Sequence, residues 1–149
     1  MAALMLRRMA MVLSSCAVAA GGVIAPAVTD AAAEGCYVDA FPPGGGTNIG
    51  GSPNRYKWDN TPYIGARYNR CNGYVYVIYG GYNATHYNVR WVAPGGPWEQ
   101  GELDAGKGLW SWPARHGDYN LVVQACNRGG FLSRSKCTNW SPQLYLNTR

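Results

Sequence analysis

The chain has 149 residues, of which 47% are hydrophobic and 14% are charged, and it contains 20 Gly, 6 Trp and 11 Tyr. This length suits one domain, and the low charge excludes a charged disordered tail and a long charged helix. The formal net charge is +5 at pH 7. Because basic residues never occur more than two in a row, we expect no nucleic-acid partner.

The first 33 residues are predicted to be a signal peptide. Arg7 and Arg8 form a basic start, and an uncharged run extends from Met9 to Ile24. We place cleavage after Ala33, where a run of small residues ends, with cleavage after Ala27 as the alternative. We therefore expect a secreted, extracellular protein with no membrane span in its mature form.

Cysteine spacing predicts two disulfides. Cys16 leaves with the signal peptide or, as a less favoured alternative, carries a lipid anchor. The four remaining cysteines are typical of a small exported protein with two bridges. Ten residues with a turn signal separate Cys126 from Cys137, so we pair these two and, by exclusion, Cys36 with Cys71. Without a C-x2-C pair and with only two His, we expect neither a metal site nor a cofactor.

Two regions follow the signal peptide. Residues 34–60 are rich in Gly and Pro, which predicts a loop tied by a disulfide, with one possible short strand at Cys36–Phe41. Residues 61–149 alternate short apolar segments with turn signals and show no helical period. About seven strands are predicted: Tyr63–Asn69, Tyr74–Tyr79, Tyr87–Val92, Trp98–Leu103, Leu109–Trp112, Tyr119–Cys126 and a last one from Cys137 to Leu146. This pattern indicates an all-β, immunoglobulin-like antiparallel sandwich.

The C-terminal third carries a more specific pattern. From Gly117 to Gly130, a Tyr precedes alternating apolar residues, an Ala and an Asn- and Gly-containing turn. This stretch resembles the penultimate strand of fibronectin type III domains, Ser135–Pro142 resembles the opening of their last strand, and Tyr87–Trp91 resembles the third. The resemblance covers residues 61–149.

The resemblance implies a non-catalytic binding or spacer module acting at or near the cell surface. It also implies that Tyr119 is a corner tyrosine, whose hydroxyl bonds to the backbone while its ring packs inward. Tyr79 stands where this family usually has a Trp, which is a departure from the pattern. The partner implied is an extracellular protein or polysaccharide that the sequence does not identify.

Candidate catalytic residues are few, and we expect no enzyme. The acidic residues Glu99, Glu102 and Asp104 suggest a carboxylate pair or a calcium site, but a solvated edge strand is the favoured interpretation. Glu99, Arg115 and His116 could serve a small nuclease if they converged on a phosphate. No nuclease motif surrounds them.

Two further binding hypotheses concern loops and aromatic side chains. The segment Asn127–Lys136 between two cysteines could present a basic loop to a protease, or it could simply connect two strands. Trp58, Tyr82 and Trp98 are the aromatic residues expected to be exposed, and together they could form a platform for carbohydrate or a cell-wall polymer. Trp110 and Trp112 share one face of a strand and belong to the core if that face points inward. Sequons begin at Asn83 and Asn139, and their use stays open.

Overall fold

The structure, a computed structural model, describes residues 35–131 and 133–149. The predicted signal peptide, with its alternatives at Ala27 and Cys16, lies outside these residues. The described part contains strands and no α-helix, as the alternating pattern predicted. No helix of a length and hydropathy that could cross a membrane is present there.

Eleven strands are present in the described residues. Most of the longer ones agree with the predicted bounds to within one residue, because their apolar residues alternate along one buried face. They are β1 (Tyr37–Asp39), β2 (Thr47–Asn48), β3 (Tyr56–Lys57), β4 (Tyr63–Asn69), β5 (Tyr74–Gly80), β6 (His86–Val92), β7 (Trp98–Asp104), β8 (Leu109–Pro113), β9 (Asp118–Asn127), β10 (Lys136–Cys137) and β11 (Leu144–Asn147).

The strands form two antiparallel sheets. The first has the order β2-β3-β4-β5-β8, with β1 paired to β4. The second has the order β10-β9-β6-β7, with β11 paired to β9. The core between them is made of the inward residues of both sheets, among them Ile64, Val77, Val89, Leu121 and Leu146, each fully buried. One continuous cluster of buried side chains therefore holds the two layers together.

The N-terminal segment contains more structure than one optional strand. Three short strands, β1 to β3, lie within it, and β1 and β3 both pair with β4. Each is only two or three residues long, since Gly and Pro interrupt the extended backbone on both sides. The segment is thus joined to the first sheet by backbone hydrogen bonds as well as by a disulfide.

The predicted last strand is divided into two. Between β10 and β11, side chains replace some backbone contacts: Ser141 Oγ accepts from the Val123 N–H at 3.0 Å, and Thr138 Oγ1 accepts from the Ala125 N–H at 3.1 Å. Pro142 has no N–H to donate to a ladder. The chain therefore stays beside β9 between the two short strands without a regular ladder.

One side of the sandwich is closed by the backbone. Ala40 donates its N–H to the Ala66 carbonyl in the first sheet, at 2.9 Å. The next residue, Phe41, donates to the Tyr145 carbonyl in the second sheet at 3.0 Å and accepts from the Tyr145 N–H at 2.8 Å. Consecutive residues thus connect the two sheets along the edge formed by β1 and β11.

The opposite side, between β7 and β8, is filled by indoles. Trp110 and Trp112 point inward, with ring centroids 4.1 Å apart, and Trp91 of β6 meets Trp110 at 5.1 Å. Gly101 of β7 faces this stack, and a Cβ at that position would lie 3.3 Å from the Trp91 ring. These tryptophans are half-buried against the core, so side chains fill the space between the two sheets on this side.

Tyr119 lies at the start of β9 with its side chain buried. Its hydroxyl accepts from the Arg115 N–H at 2.7 Å, four residues upstream, and its ring packs against Trp112 at 6.0 Å between centroids. The neighbouring Thr148 is also buried, and its hydroxyl accepts from the Gly117 N–H at 3.0 Å and donates to the Arg115 carbonyl at 2.6 Å. The turn before β9 is therefore held by two hydroxyl groups.

Both predicted disulfide pairs are present. Cys36–Cys71 joins the residue before β1 to the turn after β4, across a sequence separation of 35 residues. Cys126–Cys137 joins directly opposite positions of β9 and β10, across 11 residues.

Candidate functional site

The outward face of the second sheet carries a groove lined by aromatic, aliphatic and polar side chains. Because β6 alternates, Tyr87 and Val89 point into the core while Arg90 points out. The register places Arg90 beside Gln100 of β7 on one flank and Val122 of β9 on the other. One row across three neighbouring strands is thus glutamine, arginine and valine.

A groove forms over this row. It has a volume of about 480 Å³ and is lined by Arg90, Trp98, Val122, Trp140 and Gln143; we call it the outer groove. Trp98 begins β7 and is 52% exposed. Trp140 stands in the segment between β10 and β11, beyond β9. Two indoles and an aliphatic side chain therefore supply most of the groove's surface.

Polar contacts fix the side chains within the outer groove. The Arg90 guanidinium lies over the Trp140 ring, 4.6 Å from its centroid, in cation–π geometry. Arg90 Nε donates to Gln100 Oε1 at 2.8 Å. Gln143 Nε2 donates to Asn120 Oδ1 at 2.8 Å. The groove is therefore preorganised: its charged group and one amide are held by neighbours while their outer edges face solvent.

The three predicted platform residues do not lie together. Trp98 lines the outer groove, whereas Tyr82 lines a smaller groove of about 240 Å³ beside the Cys126–Cys137 disulfide. Trp58, 44% exposed, follows β3 on the first sheet and lines neither groove. Its backbone N–H donates to Thr61 Oγ1 at 3.0 Å within a tight turn. A single surface containing all three residues is thus not formed.

Tyr82 is held by a buried tyrosine. Tyr87 donates its hydroxyl to the Tyr82 carbonyl at 3.0 Å, and its oxygen accepts from the Tyr82 N–H at 3.3 Å. Burial raises the pKa of Tyr87, although the hydrogen bond that its oxygen accepts from the Tyr82 N–H acts in the opposite direction. Burial also raises the pKa of Tyr79, assisted by the Asp104 carboxylate. The Tyr79 hydroxyl donates to the Asp104 carbonyl at 2.7 Å.

These two phenols predict a loss of stability in alkali. Their pKa values in the folded protein lie above the ordinary 10.0, so the unfolded chain releases these protons first. Their contribution to stability is complete below about pH 10 and is lost as the pH rises through their folded values. We expect the Tm to fall above pH 10 and expect this fall to be smaller in a Tyr87→Phe variant. Equal alkaline losses in both proteins would contradict the assignment.

The acidic and histidine candidates are dispersed. Glu99 lies opposite Trp91 on the inward side of β7, whereas Glu102 and Asp104 lie on its outward side. Glu102 pairs with Arg128 and lies 3.9 Å from His86 Nε2. Among the described residues, no group of His, Cys, Asp and Glu is arranged to hold a metal ion.

The three residues of the nuclease hypothesis do not all share one site. Glu99 and Arg115 line a groove of about 240 Å³ beside Trp91 and Trp112. His116 is not among the residues that line it, and its Nδ1 donates to the Thr148 carbonyl at 3.0 Å.

The segment Asn127–Lys136 folds back on the sheet at its first residues. Arg128 donates its backbone N–H to Thr85 Oγ1 at 2.9 Å and pairs with Glu102. Phe131 is fully exposed, and Arg134 and Lys136 are also exposed.

Sequence reasoning did not find most of the outer groove. Arg90 and Val122 stand at outward positions of predicted strands, so alternation already placed them on a surface. What brings them together is the pairing of β6 with both β7 and β9, which the periodicity of a single strand does not reveal.

The chain matches no protein-family model and no curated protein sequence.

Proposed function

We propose that this protein is a secreted, non-catalytic binding module with a fibronectin type III-like fold, and that it binds polysaccharide in the outer groove. Counting β4 to β9 and then β10 with β11, the first, second and fifth strands form one sheet. The third, fourth, sixth and seventh form the other. This division supports an immunoglobulin-class sandwich with Greek-key connections. The two disulfides are compatible with an extracellular location.

Two tyrosines support the family assignment. The bond from the Arg115 N–H to the Tyr119 hydroxyl has the arrangement of a tyrosine corner at the start of the penultimate strand. Tyr79, at the position of the family's usual Trp, is 2% exposed and fills the core beside Tyr87, with ring centroids 5.1 Å apart. Tyr79 therefore fills that position with a smaller ring than that of Trp, and its hydroxyl donates to the Asp104 carbonyl.

The juxtaposition of Trp98 and Trp140 around Arg90 carries the carbohydrate proposal. A sugar ring has an apolar C–H face and a polar edge, so an indole can stack on the face while amides and guanidinium groups bind the edge. The outer groove offers both kinds of group. Its volume of about 480 Å³ also lies within the range of ligand sites in proteins.

Replacing Trp98 with alanine is expected to weaken polysaccharide binding by about tenfold or more, because the variant loses one stacking surface. The measurement is retardation of the purified, oxidised protein in gels containing soluble polysaccharides, together with retention on insoluble ones. A Trp140→Ala variant should also bind less tightly, since its indole lines the same groove and holds the Arg90 guanidinium.

Trp58→Ala is the matched control. It removes the same side chain from a comparably exposed site on the other sheet, and binding should be unchanged. Equal losses in Trp58→Ala and Trp98→Ala would contradict the assignment to the outer groove, as would a stable dimer that covers Trp98. Absence of retention on every polysaccharide would overturn carbohydrate binding and direct the search to protein partners.

A further inference from the structure

We propose that the outer groove selects polysaccharides whose sugar rings carry carboxylates, with Arg90 as the residue that determines this specificity. This inference rests on the proposed function and names its ligand class. The starting observation is that Arg90 lines the groove from β6, which lies between β7, the strand that carries Trp98, and β9, the strand beside Trp140. A sugar ring that stacks on Trp98 therefore lies in the same groove as the guanidinium, which itself covers the Trp140 ring.

The charge of Arg90 is not neutralised by the protein. In the part of the chain that the structure describes, no carboxylate lies within ion-pair distance of it, whereas Arg67, Arg128 and Arg149 each pair with an acid. Glu102, the nearest acidic residue along the outward side of β7, is paired with Arg128. The groove is thus a site of local positive charge on an otherwise apolar surface.

The guanidinium is also oriented for recognition. Its Nε is used by Gln100 and its face by Trp140. Within the described residues, the terminal nitrogens donate to no other group. A planar fork of N–H donors fits a carboxylate with two parallel hydrogen bonds, and stacking on an indole leaves that fork free at the edge.

The ligand must satisfy both the indoles and the guanidinium. A uronic acid has a pyranose face for stacking and a carboxylate attached at the edge of the same ring. A phosphate polymer with a linear polyol backbone carries negative charge but presents no ring to Trp98. The pairing of aromatic and cationic groups therefore favours carboxylated glycans.

Polygalacturonate and its methyl ester provide a matched pair of probes, because they share the sugar ring and differ in charge. We expect the wild-type protein to bind polygalacturonate about tenfold more tightly than the ester, as measured by affinity electrophoresis and calorimetry. An Arg90→Gln variant should lose this preference, because its affinity for polygalacturonate falls to the level of its affinity for the ester. Arg134→Gln makes the same change in net charge at an exposed site outside the groove and should retain the preference.

The outcomes separate this inference from the proposed function. Equal binding of both glycans, unaffected by Arg90→Gln but lost in Trp98→Ala, overturns carboxylate selection and leaves carbohydrate binding intact. Binding of neither glycan contradicts both proposals. Tighter binding of a teichoic-acid-type phosphate polymer than of polygalacturonate overturns the carboxylate assignment. Loss of the preference in Arg134→Gln would reveal an effect of net charge alone and would also overturn it.

Discussion

Replacing Tyr119 with alanine is expected to lower the free energy of unfolding by about 3–5 kcal/mol. The ring is buried at the start of β9 and packs against Trp112, so its removal leaves a cavity. The variant also removes the oxygen that accepts from the Arg115 N–H, and an unpaired, partly buried donor adds to the cost. Chemical unfolding followed by far-UV circular dichroism measures the difference.

A Tyr119→Phe variant separates the two contributions. The ring remains while the hydroxyl is lost, so we expect a smaller destabilisation of about 1–2 kcal/mol. If the phenylalanine variant were as unstable as the alanine variant, the ring's packing would contribute little. If neither differed from wild type, the corner would not stabilise the fold at all.

Removing the Cys36–Cys71 disulfide is expected to cost about 4 kcal/mol in a Cys36→Ser/Cys71→Ser double variant. The bridge closes a loop with a sequence separation of 35 residues, and the chain-entropy cost avoided by a cross-link rises with loop length. Of the enclosed strands, β4 is held by buried side chains such as Ile64, whereas β1 to β3 are short and the chain beside them leaves Phe41 and Ile49 exposed. The segment that contains β1 to β3 therefore depends on the bridge more than β4 does.

The second disulfide is the internal control. Cys126–Cys137 spans 11 residues, so the corresponding double serine variant should lose about 3 kcal/mol, less than the first. The midpoint of guanidinium unfolding, compared at a constant m-value, reports both changes. A larger loss from the shorter loop would show that native contacts of Cys126, which is buried, outweigh chain entropy.

Much of the fold follows from local sequence patterns. Alternation in Tyr74–Gly80 and Asp118–Asn127 marks strands with one buried face, and Gly and Pro mark where they stop. The cysteine pairing also follows from spacing. By contrast, the division of the last strand depends on Thr138 and Ser141 side chains that bond the backbone of β9. Their spacing does not distinguish that role from ordinary strand positions.

The candidate site was less accessible to sequence reasoning. Exposure of Trp58, Tyr82 and Trp98 was a reasonable expectation, because each stands in or beside a turn. Whether two exposed residues lie side by side depends on strand order. Trp58 follows a strand of the first sheet, whereas Trp98 begins a strand of the second. Trp140 looked like the opening of a strand, yet it lines the outer groove. Strand order and cross-strand register determine which exposed residues become neighbours, and neither can be read from a single segment.

The two sides of the sandwich are joined by different contacts, so separation of the two sheets should begin at one particular side. Along β1 and β11, Ala40 and Phe41 bind both sheets through main-chain hydrogen bonds, so the two sheets should stay together at this edge. Along β7 and β8, side chains join the two sheets: the indoles of Trp91, Trp110 and Trp112 stack between them, and the Tyr79 hydroxyl donates to the Asp104 carbonyl. Low-energy separation of the two sheets should therefore begin at the tryptophan side, with the edge at β1 and β11 as the hinge. Because the outer groove lies on the outward face of the second sheet, such motion would carry Trp98 and Trp140 together and leave the groove unchanged.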